Sequence, residues 1–185
     1  MSVATRPRGG LAKVVRTLAL LIKLWAIAGG LLATALALMT AASAVSNLLF
    51  ARPFAADHEL TKHIIAIVIF MFLPYCQLVG ANVTVDIFTE GMGERTKAAM
   101  EVFASLFALA FAALLLVQMW KGMGSYMRYV EVTPVLKLPL WTAFPPILVS
   151  LGFLLLAALI TAAEGVRHLL GRPAWLTAPR AEEAA

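Results

Sequence analysis

Four stretches of the chain carry no Asp, Glu, Lys or Arg, and their lengths set the architecture. Leu24–Phe50 has 27 residues, Ile64–Val85 has 22, Val102–Trp120 has 19 and Leu138–Ala163 has 26. At about 1.5 Å per residue the shortest reaches about 28 Å as a helix, close to the roughly 30 Å of bilayer hydrocarbon. The pattern predicts an all-α integral membrane four-helix bundle, with spans at about 24–50, 64–85, 102–120 and 142–163. Residues 1–23 and 164–185 are left as an N-terminal segment and a tail, with no room for a second domain.

Proline, tryptophan and lysine refine these boundaries. Pro145 and Pro146 fit a fourth helix that starts near Thr142, where the first turn tolerates missing N–H groups. Pro74 falls inside span two and is expected to kink it. Trp25, Trp120, Trp141 and Trp175 fall near span ends, as interfacial anchors do. Ahead of span one, Lys13, Arg16 and Lys23 share a helix face while Leu11, Val14, Val15, Leu18 and Ile22 cover the other. This reads as an amphipathic arm helix in the interface before the first span; a longer, tilted span with snorkelling lysines is the alternative. Ala42-Ser43-Ala44 would suit a cleaved signal peptide, but the apolar run is about twice the usual 7–15-residue length. Small residues recur every fourth position at Ala33, Ala37 and Ala41 and at Ala104, Ala108 and Ala112, stripes that allow close helix approach in lipid.

Composition agrees with the pattern. The chain is 62% hydrophobic and 14% charged, where soluble domains hold nearer half and a quarter. A formal charge of +5 could suggest nucleic acid, but the basic residues flank spans rather than forming one basic face, so no nucleic-acid partner is expected. Cys76 is the single cysteine, which excludes an internal disulfide. With four spans, both ends and the central connector share one side of the membrane. That side holds ten Lys and Arg against five on the other, which predicts both termini in the cytoplasm.

The spans offer little chemistry. Spans one, three and four have no ionisable group in their interiors, and span two has polar Tyr75, Cys76 and Gln77 but no charge before Asp86, although transport paths for ions or charged solutes usually need one. His58, His63 and His168 lie at span ends on opposite sides, so they make no axial pair for haem. No nucleophile triad, phosphate loop or metal cluster is present in the sequence, and neither enzyme activity nor a cofactor is expected. Asn47, Gln77 and Gln118 suit interhelical hydrogen bonds. Asp57, His58, Glu59 and Lys62 cluster before span two, either as a solvated helix entrance or as a docking surface.

Those residues carry a family likeness. Asp57-His58-Glu59-Leu60 before span two, Gly80-Ala81-Asn82-Val83-Thr84-Val85-Asp86-Ile87-Phe88 after it, and Thr133-Pro134-Val135-Leu136-Lys137-Leu138-Pro139-Leu140-Trp141 before span four are arranged in that order. Over roughly residues 15 to 170 the chain resembles the DctQ-like small membrane subunit of tripartite ATP-independent periplasmic (TRAP) transporters. It departs at Asn82, where the family often has histidine, and at Phe54-Ala55-Ala56, where a tryptophan is common. The resemblance implies a bacterial inner-membrane uptake system in which a periplasmic binding protein delivers a small organic acid to two membrane subunits. It places the elevator machinery and the coupling ion, usually sodium, in the large membrane subunit, which this chain would brace. Gly80, Asn82 and Asp86 would then shape the inner turn, and Thr133, Pro134, Pro139 and Trp141 the entrance to span four. Asp57, Glu59, Lys62, Arg128 and Glu131 would dock the binding protein, while Lys13, Arg16, Lys23, Trp25 and Trp120 anchor the chain in lipid. A stand-alone dimeric four-span exporter is the alternative, weakened by the uncharged first span; an intramembrane oxidoreductase lacks the cysteines and histidines.

Overall fold

A computed structural model describes residues 10–51, 54–79 and 94–170. Gly80, Asn82 and Asp86 lie outside the described residues, as does Trp175. The described chain is helical: α1 spans Gly10–Phe50, α2 Asp57–Val79, α3 Glu94–Arg128 and α4 Phe144–Leu169, with a 3-10 turn at Leu140–Ala143. Four of its helical segments are long and apolar enough to cross a membrane.

α1 differs from the sequence reading in one respect. No break separates the arm from the first span, and its 41 residues form one helix of about 61 Å. A continuous buried stripe explains this. From Ala12 through Val15, Ile22, Ala26, Gly29 and Leu36 to Ser43, buried positions fall on a single heptad register that crosses residue 23 without a phase change. No proline interrupts the run. Lys13, Arg16 and Lys23 are exposed beside this stripe, but so are Leu20, Leu21 and Leu24, so the expected division of the arm into two faces is incomplete.

The other helices have local causes. Asp57 and Glu59 place negative charge in the first turn of α2, and Arg128 places positive charge in the last turn of α3, both favourable to the helix dipole. α2 runs through Pro74, whose ring is fully buried. Pro145 and Pro146 occupy the first turn of α4, where their missing N–H groups cost no helical bond.

The helices pack in the order α1, α2, α4, α3. α4 is central, in contact with α3 along one side and α2 along the other; α1 packs on α2 and meets α4 only lightly, and it has no substantial interface with α3. The bundle is therefore opened into a row. Ala112 of α3 and Ile147, Leu151 and Leu154 of α4 form its apolar centre, with Phe70 of α2 packed against them. Two glycines mark close helix approach. A Cβ added to Gly165 would lie 2.8 Å from the Val102 side chain, and one at Gly29 would lie 3.0 Å from Cβ of Met71. Of the alanine stripes, only Ala112 is buried; Ala37, Ala41 and Ala104 are exposed.

Large apolar side chains cover the remaining surface, among them Leu31, Leu48, Phe103 and Phe107. In water such a surface would drive aggregation, whereas in lipid it costs nothing, because hydrocarbon solvates Leu and Phe as well as a protein core does.

Candidate functional site

The α1–α2 and α3–α4 connections meet at one end of the row, where most of the polar contacts between distant residues also lie. Glu59, in the first turn of α2, reaches across to the loop before α4. Its Oε1 accepts the Val135 N–H at 2.8 Å and its Oε2 accepts the Leu136 N–H at 3.0 Å. Both oxygens are thus committed within the chain, and charge-assisted bonds of this kind are among the stronger ones available to a side chain.

The loop that Glu59 grips is closed by its own backbone. Val132 and Pro139 face each other across an isolated antiparallel bridge. The Thr133 N–H donates to the Leu138 carbonyl at 2.9 Å and the Leu140 N–H to the Glu131 carbonyl at 3.0 Å. Thr133 is the buried pivot: its hydroxyl oxygen also accepts the Leu138 N–H at 3.0 Å. Lys137 completes the turn in the left-handed region at φ 53°, a conformation that costs a non-glycine residue about 1–2 kcal/mol. Thr133 and Pro139 thus take part in the bonds that close the loop leading into α4. Pro139 accepts both the Thr142 N–H and, at 2.7 Å, the Thr142 hydroxyl. Because that hydroxyl proton points to Pro139, the contact of 3.1 Å between Thr142 Oγ1 and His63 Nε2 needs the proton on the histidine. Trp141 sits half-buried in the 3-10 turn.

Beside this clamp lies a cleft of about 430 Å³ lined by His58, Lys62 and Tyr126 above Ala66 and Phe144. Lys62, Arg128 and Glu131 are exposed around the same end. Asp57 is half-buried and accepts the Thr61 hydroxyl at a long 3.4 Å. Of the five charges expected to dock a partner, Glu59 thus reaches across to a distant segment of the fold, while Asp57 bonds within its own helix.

Several interactions were not legible as sites. Ser43, within the Ala42-Ser43-Ala44 pattern, is buried in α1 and accepts the Phe54 N–H at 3.2 Å, tying the first connection to its helix. Trp25 points into the row instead of serving only as an end anchor: its indole N–H donates to Ser150 at 2.9 Å and its ring meets Phe153 edge-on. Trp120 is exposed on α3, as a lipid-facing ring would be. Gln77 donates to Thr161 at 3.2 Å, an interhelical bond of the kind its position suggested. Among the described residues no group of three or more His, Cys, Asp or Glu is placed to hold a metal ion.

A family model described as "Tripartite ATP-independent periplasmic transporters, DctQ component" matches residues 36–168, which is well over half of the chain. The protein belongs to the DctQ family. It is accordingly a multi-pass membrane protein and a small membrane component of a TRAP transporter. The match begins inside α1 and ends near the last turn of α4, so it covers the whole polar end described above. Comparison with curated proteins and with solved structures returns no match.

Proposed function

We propose that this DctQ-family chain is a scaffold: it braces the large elevator-type membrane subunit and helps dock the periplasmic binding protein during ion-driven uptake of a small organic acid. The observation that carries this reading is the row. Among the described residues, four helices packed in the order α1, α2, α4, α3 have two broad apolar sides and enclose no interior through which a solute could pass. The charge-free runs supply no carboxylate, lysine or arginine to bind or relay an ion. Substrate and sodium sites belong in this reading to the large subunit, and the chain's own contribution is an immobile wall with a polar end.

That end faces the periplasm if both termini are cytoplasmic, as the ten-to-five distribution of basic residues favours. Reporter fusions at Pro53 and Tyr129 are expected to be active only as periplasmic reporters. Cytoplasmic activity at either position would reverse the orientation and remove the docking role.

Asp57, Lys62, Arg128 and Glu131 are among the charges at this end that steer a soluble partner in this reading, beside the exposed Lys137 of the loop itself. Reversing rim charges typically slows association without dismantling the complex. The double variant Lys62→Glu/Arg128→Glu should therefore raise the binding-protein concentration needed for half-maximal uptake severalfold. The amount of assembled membrane complex should stay unchanged. Unaltered uptake kinetics would place docking elsewhere.

A further inference from the structure

We infer that Glu59 is a positioning residue, a latch that fixes the shape of the 130–139 loop so that its apolar tip is presented, preformed, to the soluble solute-delivering component. This rests on the TRAP-subunit reading and adds to it the element through which the soluble component is met.

Three features of the geometry lead here. First, the two consecutive N–H groups at the loop tip, Val135 and Leu136, are both turned inward onto one carboxylate. With those amides held, the Val135 and Leu136 side chains remain outside, and Val135 is 53% exposed. Second, the latch joins segments 76 and 77 residues apart in sequence, so it ties the loop tip to α2, which the loop's own backbone bonds do not do. Third, the loop caps the end of the row and is separate from its two apolar sides. Tyr129, Val130 and Val132 are also exposed there, next to Lys62 and Glu131, which makes a mixed apolar and charged surface at an aqueous boundary. A soluble protein fits that mixture, because apolar contacts ringed by charges are the usual composition of such interfaces. A hydrocarbon-facing surface would have no use for the charges.

A preformed loop matters because ordering a flexible one on binding costs the conformational freedom of each side chain immobilised. Loss of the latch should therefore weaken encounter with the soluble component without slowing the steps that follow. Gln at position 59 keeps one carbonyl oxygen for the two N–H groups but turns an amide donor toward the other. Ala keeps neither acceptor.

The test uses the complete transporter in proteoliposomes, with uptake measured as a function of the concentration of solute-loaded binding protein. For Glu59→Ala the half-saturating concentration is expected to rise severalfold while the maximal rate is retained, with Glu59→Gln between Ala and the parent. Amide hydrogen exchange of the same assembled complex should accelerate at Val135 and Leu136 and remain unchanged in α4. If exchange accelerates but half-saturation does not move, the latch is only structural and the inference is overturned, while the scaffold reading survives. If exchange at Val135 and Leu136 is unaffected, the latch itself is refuted. A parent chain that neither assembles nor supports uptake would instead refute the underlying subunit reading. Should Glu59→Ala fail to assemble, Glu59→Gln carries the comparison, because it preserves side-chain volume.

Discussion

Gly29→Leu is expected to destabilise the bundle by about 1–3 kcal/mol, the usual cost of overpacking, whereas Gly30→Leu should leave it close to the parent. The two glycines are neighbours on α1, so helix propensity and depth are nearly matched, although Gly29 is buried and Gly30 only partly so. What differs is the wall each one faces. A Cβ at Gly29 would meet Cβ of Met71 at 3.0 Å, an atom fixed to the α2 backbone, so the helices must separate. At Gly30 the nearest atom is the tip of the Phe72 ring at 4.0 Å, an ordinary contact. Removing a glycine from a helix interior also returns up to about 1 kcal/mol of propensity, so any net loss at Gly29 understates the clash. Unfolding in mixed detergent micelles reads the difference. Equal stability of the two variants would mean that α1 does not lie against α2 in the register described.

The contrast also shows how far the sequence speaks. The number of spans was legible because a bilayer forbids charge over about 20 consecutive residues, and the 25 Asp, Glu, Lys and Arg residues leave four gaps of at least 19 residues. The first turn of α4 was legible from Pro145 and Pro146, since few backbone positions admit two prolines. The packing order was not. In lipid, an apolar side chain is equally at home facing a helix or a hydrocarbon chain, so hydrophobicity carries no signal about which face is inside. Alanine spacing pointed to Ala37 and Ala41, which are exposed, while the heptad stripe ending at Ser43 was hidden among equally apolar neighbours. That stripe is also why the arm and the first span form one helix: lysines beside it suggested an interfacial segment, but the buried register does not change at them.

The polar end was half legible. Glu59, Thr133, Pro139 and Trp141 stood out as residue types at span entrances, yet their pairing joins segments far apart in sequence. Glu59 was expected to face a partner, and its carboxylate holds the tip of the 130–139 loop against α2. A charge beside a membrane span looks the same in sequence whether it faces water or a pair of backbone amides. Trp25 illustrates the same point in the other direction. Its place near the start of a charge-free run suggested an interfacial ring, and only the fold supplies Ser150 as the partner for its indole N–H.

The row leaves two apolar sides uncovered, and the central claim is that one of them is occupied by a large multi-span membrane protein. A soluble partner could not cover such a side without itself being apolar, and lipid alone would make the chain an isolated four-helix unit with no enclosed path. The effect at stake is all or none: the chain either belongs to a larger membrane assembly or works alone. The most direct measurement is purification of the full chain from native membranes in mild detergent, followed by mass determination of the intact complex and reconstitution. The account predicts a complex with a large multi-span subunit, and uptake in proteoliposomes only when that subunit and the soluble binding protein are both present. A homodimer of this chain that transports solute with no other protein would contradict it.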